Sequence, residues 1–68
     1  MSSLEKALLL LKRLGEPPYE LGLSEIAVHA GIGKSGAYKL LRTMQEQNFV
    51  IQDHSSKKYH LSPIMLRL

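Results

Sequence analysis

The 68-residue sequence predicts a mainly α-helical domain with a small β-hairpin, in the winged helix-turn-helix arrangement of three helices and a two-stranded wing. Two helical segments flank a glycine turn at Gly31, a third helical segment precedes them, and two strand-like segments follow. We expect a single domain over residues 1–68. The helix-turn-helix is predicted at about 23–44, the wing at about 49–62 and the start of a linker helix at 64–68.

The first helix is predicted to run from about Leu4 to Leu14. Ser2 and Glu5 have the spacing of a capping box before an apolar run, and Gly15 is a natural stop. Seven of the eleven residues in this helix are apolar, whereas one buried stripe needs about three or four per two turns. Part of the helix is therefore expected to pack against something outside the domain.

The first helix of the helix-turn-helix follows a loop at 16–18 and a short extended segment at 19–23. Ser24 is predicted to be the N-cap of a helix from Glu25 to Ala30. This helix is expected to end at Gly31, because glycine adopts the left-handed backbone that ends many helices.

The second helix of the pair is predicted to begin at Gly33 or Lys34, to end at about Gln47 and to have Asn48 as its C-terminal cap. Its apolar residues fall on one face at helical spacing: Ala37, Leu40, Leu41 and Met44. The opposite face is polar and basic, which suits a recognition helix at about 34–47 in the major groove of DNA. The candidate DNA-binding residues on the two helices are Ser24, Lys34, Ser35, Gly36, Tyr38, Lys39, Arg42 and Thr43.

The wing is predicted from a strand at 49–52 and a returning strand at 59–61, which Pro63 ends. The polar tip at 54–58 contains Lys57 and Lys58, which we expect to contact the DNA backbone or the minor groove. The placement of charge along the chain agrees with a DNA-binding surface on the second helix of the pair and the wing. Residues 1–30 carry three cations and four carboxylates, whereas residues 31–62 carry five cations and two carboxylates.

Composition excludes several classes of site. The chain has no cysteine, so disulfides and thiolate metal sites are excluded, and the three histidines have no helical ligand spacing. We therefore expect no metal and no cofactor. The longest apolar run is far too short to span a membrane, and the N-terminus lacks the features of a secretory signal, so a cytoplasmic protein without a membrane partner is expected.

Three alternative functions have weaker support in the sequence. The tripeptide Gly33-Lys34-Ser35 fits part of a nucleotide-binding phosphate loop, but that motif needs a glycine where the chain has Val28 and a buried strand before it. No arrangement of nucleophile and base is present, so an enzyme is not expected. The serious rival is a winged helix that contacts other proteins and does not bind DNA; the basic face of the second helix argues against it.

The chain resembles the N-terminal winged-helix domain of IclR-type transcription regulators. The residues that carry the resemblance are 3–8, 23–27, 31–35, 40–44, Phe49 and Val50 with Asp53, and 59–63. The resemblance implies a homodimer that binds roughly palindromic operator DNA. It also implies that small organic effectors bind a larger C-terminal domain, which is absent from this chain. The family often has other residues at the positions of Gly33 and Gly36.

The resemblance also gives the surplus leucines a role, because helix 1 and the linker helix of such proteins contribute to pairing. The expected dimer interface consists of Leu4, Leu8, Leu9, Leu10 and Leu11. We expect the chain to be either a DNA-binding fragment of a longer regulator or a stand-alone regulator. The last residues resemble an interrupted helix, which favours the fragment.

Overall fold

Three helices and an antiparallel hairpin form the domain in the predicted order. The computed structural model describes residues 2–67. The elements are α1 (Ser3–Leu14), α2 (Leu23–Ala30), α3 (Lys34–Glu46), β1 (Val50–Gln52), β2 (Tyr59–Leu61) and a 3-10 helix, η1 (Pro63–Arg67). The predicted winged helix-turn-helix fold is confirmed.

The capping box at the start of α1 is formed as expected. The Ser2 hydroxyl accepts a hydrogen bond from the N–H of Glu5 at 3.1 Å, and the Glu5 carboxylate accepts one from the N–H of Ser2 at 3.0 Å. The backbone hydrogen bond from Ser2 holds the pKa of the Glu5 carboxyl below its usual value. The helix begins at Ser3, one residue earlier than predicted, and its cap is Gly15.

The start of α2 differs from the prediction. The helix begins at Leu23 with Gly22 as its N-cap, so the assignment of Ser24 as the N-cap is wrong. The reason is the Glu25 carboxylate, which accepts a hydrogen bond from the N–H of Gly22 at 2.9 Å and so extends the helix by two residues. Ser24 instead lies exposed in the first turn of α2.

A left-handed residue follows each helix of the pair. Gly31 has a φ of 67°, and the N–H of Ile32 donates to the carbonyl of Ala27 at 3.1 Å. At the end of α3 the cap is Gln47 and not Asn48, but Asn48 follows it with a φ of 65°. Asparagine tolerates this conformation better than most side chains, which explains the position of the helix end.

The wing pairs β1 with β2 in the register Val50↔Leu61, Ile51↔His60 and Gln52↔Tyr59. The predicted extended segment before α2 pairs with the wing at a single bridge, because Leu21 and Tyr59 exchange backbone hydrogen bonds of 3.0 and 2.8 Å. The hairpin is therefore attached to the body of the domain on the side of β2. Strand β1 begins at Val50, one residue later than predicted.

The core lies between the three helices and the inner side of the hairpin. Its buried members are Leu10, Leu14, Leu21, Ile26, Ala27, Ala37, Leu41, Met44, Val50 and Tyr59. Small side chains at Ala27 on α2 and Ala37 on α3 allow these two helices to pack closely. Within residues 2–67, no helix is long and apolar enough to cross a membrane.

The expected start of a linker helix at 64–68 is a 3-10 helix that begins at Pro63. The carbonyl of Ser62 accepts from the N–H of Met65 at 3.0 Å, and the Ser62 hydroxyl accepts from the N–H of Ile64 at 3.3 Å. These bonds produce the tighter turn. Leu68 lies outside the described residues.

Candidate nucleic-acid interface

Helix α3 has one buried side and one exposed side. Ala37 and Leu41 are fully buried and Met44 nearly so, while Leu40 is half-buried against the core. Exposed positions of α3 include every predicted DNA-binding residue of this helix: Lys34, Ser35, Gly36, Tyr38, Lys39, Arg42 and Thr43. We call these seven residues the basic face. They are available to a partner because the core requires none of their side chains.

The first turn of α3 leaves backbone donors free of side-chain caps. Its N-cap is Gly33, which has no side chain to accept a hydrogen bond, and no acidic residue lies in the first turn. The first intrahelical bond of α3 is donated by Ala37, to the carbonyl of Gly33. The amide groups of Lys34, Ser35 and Gly36 therefore have no partner within the helix, and the helix dipole favours an anion beside them.

Gly36 is not required by the fold. A Cβ atom at this position would meet only the Ile32 side chain, at an ordinary contact distance of 3.6 Å, and its backbone is not left-handed. Alanine would favour the helix by about 1 kcal/mol relative to glycine. The glycine leaves the basic face without a side chain at this point, so any contact there comes from the backbone.

Two cations of the predicted interface are already ion-paired. Arg42 Nε lies 3.8 Å from an oxygen of Glu46, and Lys58 Nζ lies 3.8 Å from an oxygen of Glu20. In the part of the chain that the structure describes, Lys34, Lys39 and Lys57 form no ion pair. Sequence reasoning missed both partners; the spacing of four residues between Arg42 and Glu46 could have revealed the first pair.

The tip of the wing is held by Asp53. Its carboxylate accepts hydrogen bonds from the N–H groups of Ser55 at 3.0 Å and Ser56 at 2.8 Å. The bond from the Ser56 backbone is the main cause that holds the pKa of Asp53 below its usual value. An Asp before two serines is typical of such a turn, so this residue could have been found from the sequence.

Lys57 has a fixed backbone and an exposed side chain. It takes a φ of 66°, its N–H donates to the Asp53 carbonyl at 2.9 Å, and its carbonyl accepts from the Gln52 side chain at 3.0 Å. Lys58 is half-buried beside Glu20. The two lysines of the wing therefore have different surroundings, which the sequence did not predict.

Three hydroxyl groups, those of Tyr59, Thr43 and Tyr38, lie in or near the site. Tyr59 is buried at the base of the wing, and burial raises the pKa of its phenol, with the Tyr38 phenol as a second cause. The Thr43 hydroxyl donates to the Lys39 carbonyl at 3.3 Å, within α3. Tyr38 is 51% exposed and lies on the basic face.

Comparison with known proteins identifies the helix pair. Residues 3–54 match the IclR helix-turn-helix domain family. The chain belongs to the IclR family. The match spans α1, both helices of the pair, β1 and the start of the wing tip, so it includes the whole basic face.

Relatives of this IclR domain are named as regulators. Over 68 residues it is 43% identical to the glycerol operon regulatory protein of Streptomyces coelicolor, covering all of this chain and 27% of that protein. Over 62 residues it is 36% identical to the HTH-type transcriptional regulator KdgR of Escherichia coli K12, covering 91% of this chain and 23% of that one. The chain thus spans about a quarter of the length of these relatives.

Solved structures show the same fold. An IclR transcriptional regulator from Alicyclobacillus acidocaldarius matches with a TM-score of 0.87 and 33% identity, covering 96% of this chain and 26% of that chain. An IclR family transcriptional regulator from Brucella abortus matches with a TM-score of 0.83 and 29% identity, covering 98% of this chain and 26% of that chain.

The outer side of α1 in this IclR domain is apolar. Leu4, Leu8 and Leu9 are 69%, 50% and 45% exposed. We call these three residues the leucine face. Leu10 is only 1% exposed, so its assignment to a dimer interface is wrong: it is a core residue of the domain itself. Leu11 is half-buried and packs against the core.

The structure also bears on the two alternative sites, a phosphate loop and a metal site. The residues before Gly33-Lys34-Ser35 form helix α2, whereas a phosphate loop needs a buried strand there. Among residues 2–67, no group of three or more histidine, aspartate or glutamate side chains is placed to hold a metal ion.

Proposed function

We propose that this domain reads double-stranded operator DNA as the DNA-binding part of a transcription regulator, with α3 in the major groove. The observation that carries the proposal is the basic face of α3 within an IclR helix-turn-helix. An α-helix fits the major groove, and the buried inner side of α3 leaves the whole opposite side for contact.

The side chains of the basic face have distinct roles in this proposal. Lys39 and Arg42 donate to guanine edges or to phosphates, and the Tyr38 ring or hydroxyl contacts a thymine methyl or a phosphate. Ser35 and the free amides at the start of α3 hold a phosphate. Thr43 must release the Lys39 carbonyl before its hydroxyl can donate to DNA.

The wing supplies the second contact. Lys57 is the stronger candidate for a phosphate contact, because its backbone is held by Asp53 and Gln52 while its side chain is exposed. Lys58 contributes once it leaves Glu20. Contacts of this kind position the domain on the duplex but do not read the sequence.

Pairing of two domains through the leucine face completes the proposal. Exposed apolar side chains grouped on one helix mark an interface, and a two-fold axis would place two recognition helices one helical turn of DNA apart, about 34–36 Å, or a multiple of it. Small-molecule effectors would act through a separate C-terminal domain. The similarity to the glycerol operon regulatory protein covers 27% of that protein, so it supports a role of this domain in a transcription regulator but does not identify an effector.

The rival function is a winged helix that contacts proteins and not DNA. It is disfavoured by the five cations on α3 and the wing, which such a module does not need. The two functions differ in their response to salt, because binding to DNA releases counterions and weakens steeply as salt is raised.

The test is a selection of binding sites from random duplexes with the purified chain, followed by salt titration on the selected site. We expect enrichment of one half-site and loss of that preference in Lys39→Ala. Lys12→Ala, which removes one charge from α1, is the matched control and should leave the preference unchanged. Recovery of random sequences alone would refute sequence-specific reading.

A further inference from the structure

Three ion pairs lie within residues 2–67, and two of them involve cations of the proposed DNA interface. Arg42 is paired with Glu46 and Lys58 with Glu20, each at 3.8 Å. The third joins Arg13 to Glu16 at 3.7 Å, at the end of α1. The two pairs at the interface have the same length, although their carboxylates come from different parts of the chain.

The stability of α3 does not explain the position of Glu46. It is the last residue of the helix, where the carbonyl end of the helix dipole disfavours a carboxylate. Its partner Arg42 lies one turn earlier, and this order of charges is the less favourable one for a pair four residues apart. The side chains are 67% and 62% exposed, so the pair contributes little to folding.

Glu20 is placed beside the wing by the bridge between the segment before α2 and β2. The neighbouring residue Leu21 pairs with Tyr59, which brings the segment before α2 next to the residue that precedes β2. Glu20 and Lys58 are each 45% exposed, so water and ions reach the pair. A phosphate oxygen could therefore replace the Glu20 carboxylate.

We infer that Glu20 and Glu46 are internal competitors of DNA phosphates, which lower the affinity of the domain for any duplex by occupying Lys58 and Arg42. The inference rests on the proposed function. Carboxylate and phosphate oxygens accept from the same donors, and each exposed pair is weak enough to be exchanged. After the exchange, the carboxylate remains close to a polyanion and repels it.

The inference gives the two carboxylates a common purpose. Backbone contacts supply the sequence-independent share of affinity, so weakening them reduces binding to arbitrary sequences. A regulator must find few operators among very many other sites, and weaker backbone contacts leave it bound to these other sites for less of the time. Glu20 and Glu46 would therefore set the overall affinity of the domain for DNA, although neither contacts DNA in this proposal.

The experiment compares Glu20→Gln, Glu46→Gln and the double variant with the wild-type chain on a random-sequence duplex. Glutamine keeps the size of the side chain and removes its charge. We expect each variant to bind about two- to five-fold more tightly at low salt. The slope of affinity against salt should be steeper by up to about 0.9 per variant. Thermal unfolding should be unchanged within error.

Glu16→Gln is the matched control. It removes the same charge and breaks a pair of similar length, but its partner Arg13 is not part of the proposed interface. A second control combines Glu20→Gln with Lys58→Ala. If the carboxylate acts through Lys58, Glu20→Gln should raise affinity less in the Lys58→Ala background than in the wild-type chain, and an equal gain in both backgrounds would contradict competition for Lys58.

The outcomes separate the inference from the proposed function. If Glu20→Gln and Glu46→Gln gain no more affinity than Glu16→Gln, or lose affinity, the carboxylates do not compete with phosphate and the inference is wrong. The proposed function survives that result as long as the wild-type chain binds DNA in a salt-dependent way and Lys39→Ala weakens it. Failure of the wild-type chain to bind any duplex would overturn both.

Discussion

Helices α1 and α3 have similar inner sides and opposite outer sides. Leu10 and Leu14 of α1 and Leu41 of α3 are buried in the same core. Outside, α1 exposes the leucine face, whereas α3 exposes the basic face. The inner sides specify the fold, and for the outer sides we propose an apolar partner at α1 and a polyanion at α3.

The largest effect is expected from the inner side of α1. Leu10→Ala should lower the free energy of unfolding by about 2–5 kcal/mol, because it leaves a cavity in the core of a small domain. Urea unfolding followed by circular dichroism measures this. Leu9→Ala is the control, and its exposed side chain should cost less than about 1 kcal/mol. Equal losses would show that α1 does not have separate inner and outer sides.

On the outer side of α3, Arg42→Ala and Lys39→Ala should each weaken binding to the selected operator by about 1–3 kcal/mol if they contact bases. Both side chains are exposed, so circular dichroism should be unchanged. Fluorescence anisotropy gives the affinities. Wild-type affinity in both variants would remove the basic face from the proposed interface.

On the outer side of α1, Leu8→Glu or Leu9→Glu should favour monomers by about tenfold or more, because pairing would then bury unpaired charges. Affinity for a site with two half-sites should fall more than affinity for one half-site. Sedimentation in the presence and absence of the selected operator measures the pairing. A wild-type chain that stays monomeric on operator DNA would contradict the assignment of the leucine face.

The wing provides a smaller test of the polyanion side. Lys57→Ala should reduce the slope of affinity against salt by about 1, with a similar loss on every sequence. Lys58→Ala should reduce the slope less, since Glu20 already neutralises that lysine. Equal slopes for the two variants would show that the ion pair with Glu20 has no influence on binding.

The smallest effect is a response of the wing tip to pH. Hydrogen bonds from Ser56 and Ser55 lower the pKa of Asp53 in the folded chain, so they stabilise the turn at pH values above the unfolded pKa. This contribution is lost as the pH falls through the folded pKa. The amide resonances of Ser55 and Ser56 should report a titration midpoint below the ordinary value of 3.8.

Asp53→Asn is the control for this titration, because its side-chain oxygen still accepts the two hydrogen bonds but does not titrate. The amide shifts should then be independent of pH in this range. A midpoint at or above 3.8 in the wild-type chain would show that the turn does not hold the carboxylate.

Sequence reasoning reached the order of elements and both sides of α3, because these depend on local patterns. Helical spacing separated Ala37, Leu41 and Met44 from the exposed residues, and Gly31 ended α2 as expected. The errors lie where a side chain has a choice of partner. Glu25 caps the N–H of Gly22 and so moves the start of α2 away from Ser24.

The sequence by itself determined the winged helix-turn-helix, the capping box of α1 and the uneven distribution of charge, since each follows from spacing along the chain. The tertiary structure alone decided which leucines of α1 face the core. That choice depends on the rotation of α1 against α2 and α3, and a nearly continuous apolar run does not reveal it. The structure alone also paired Lys58 with Glu20, because the contact depends on the bridge between Leu21 and Tyr59, which joins segments far apart in the chain.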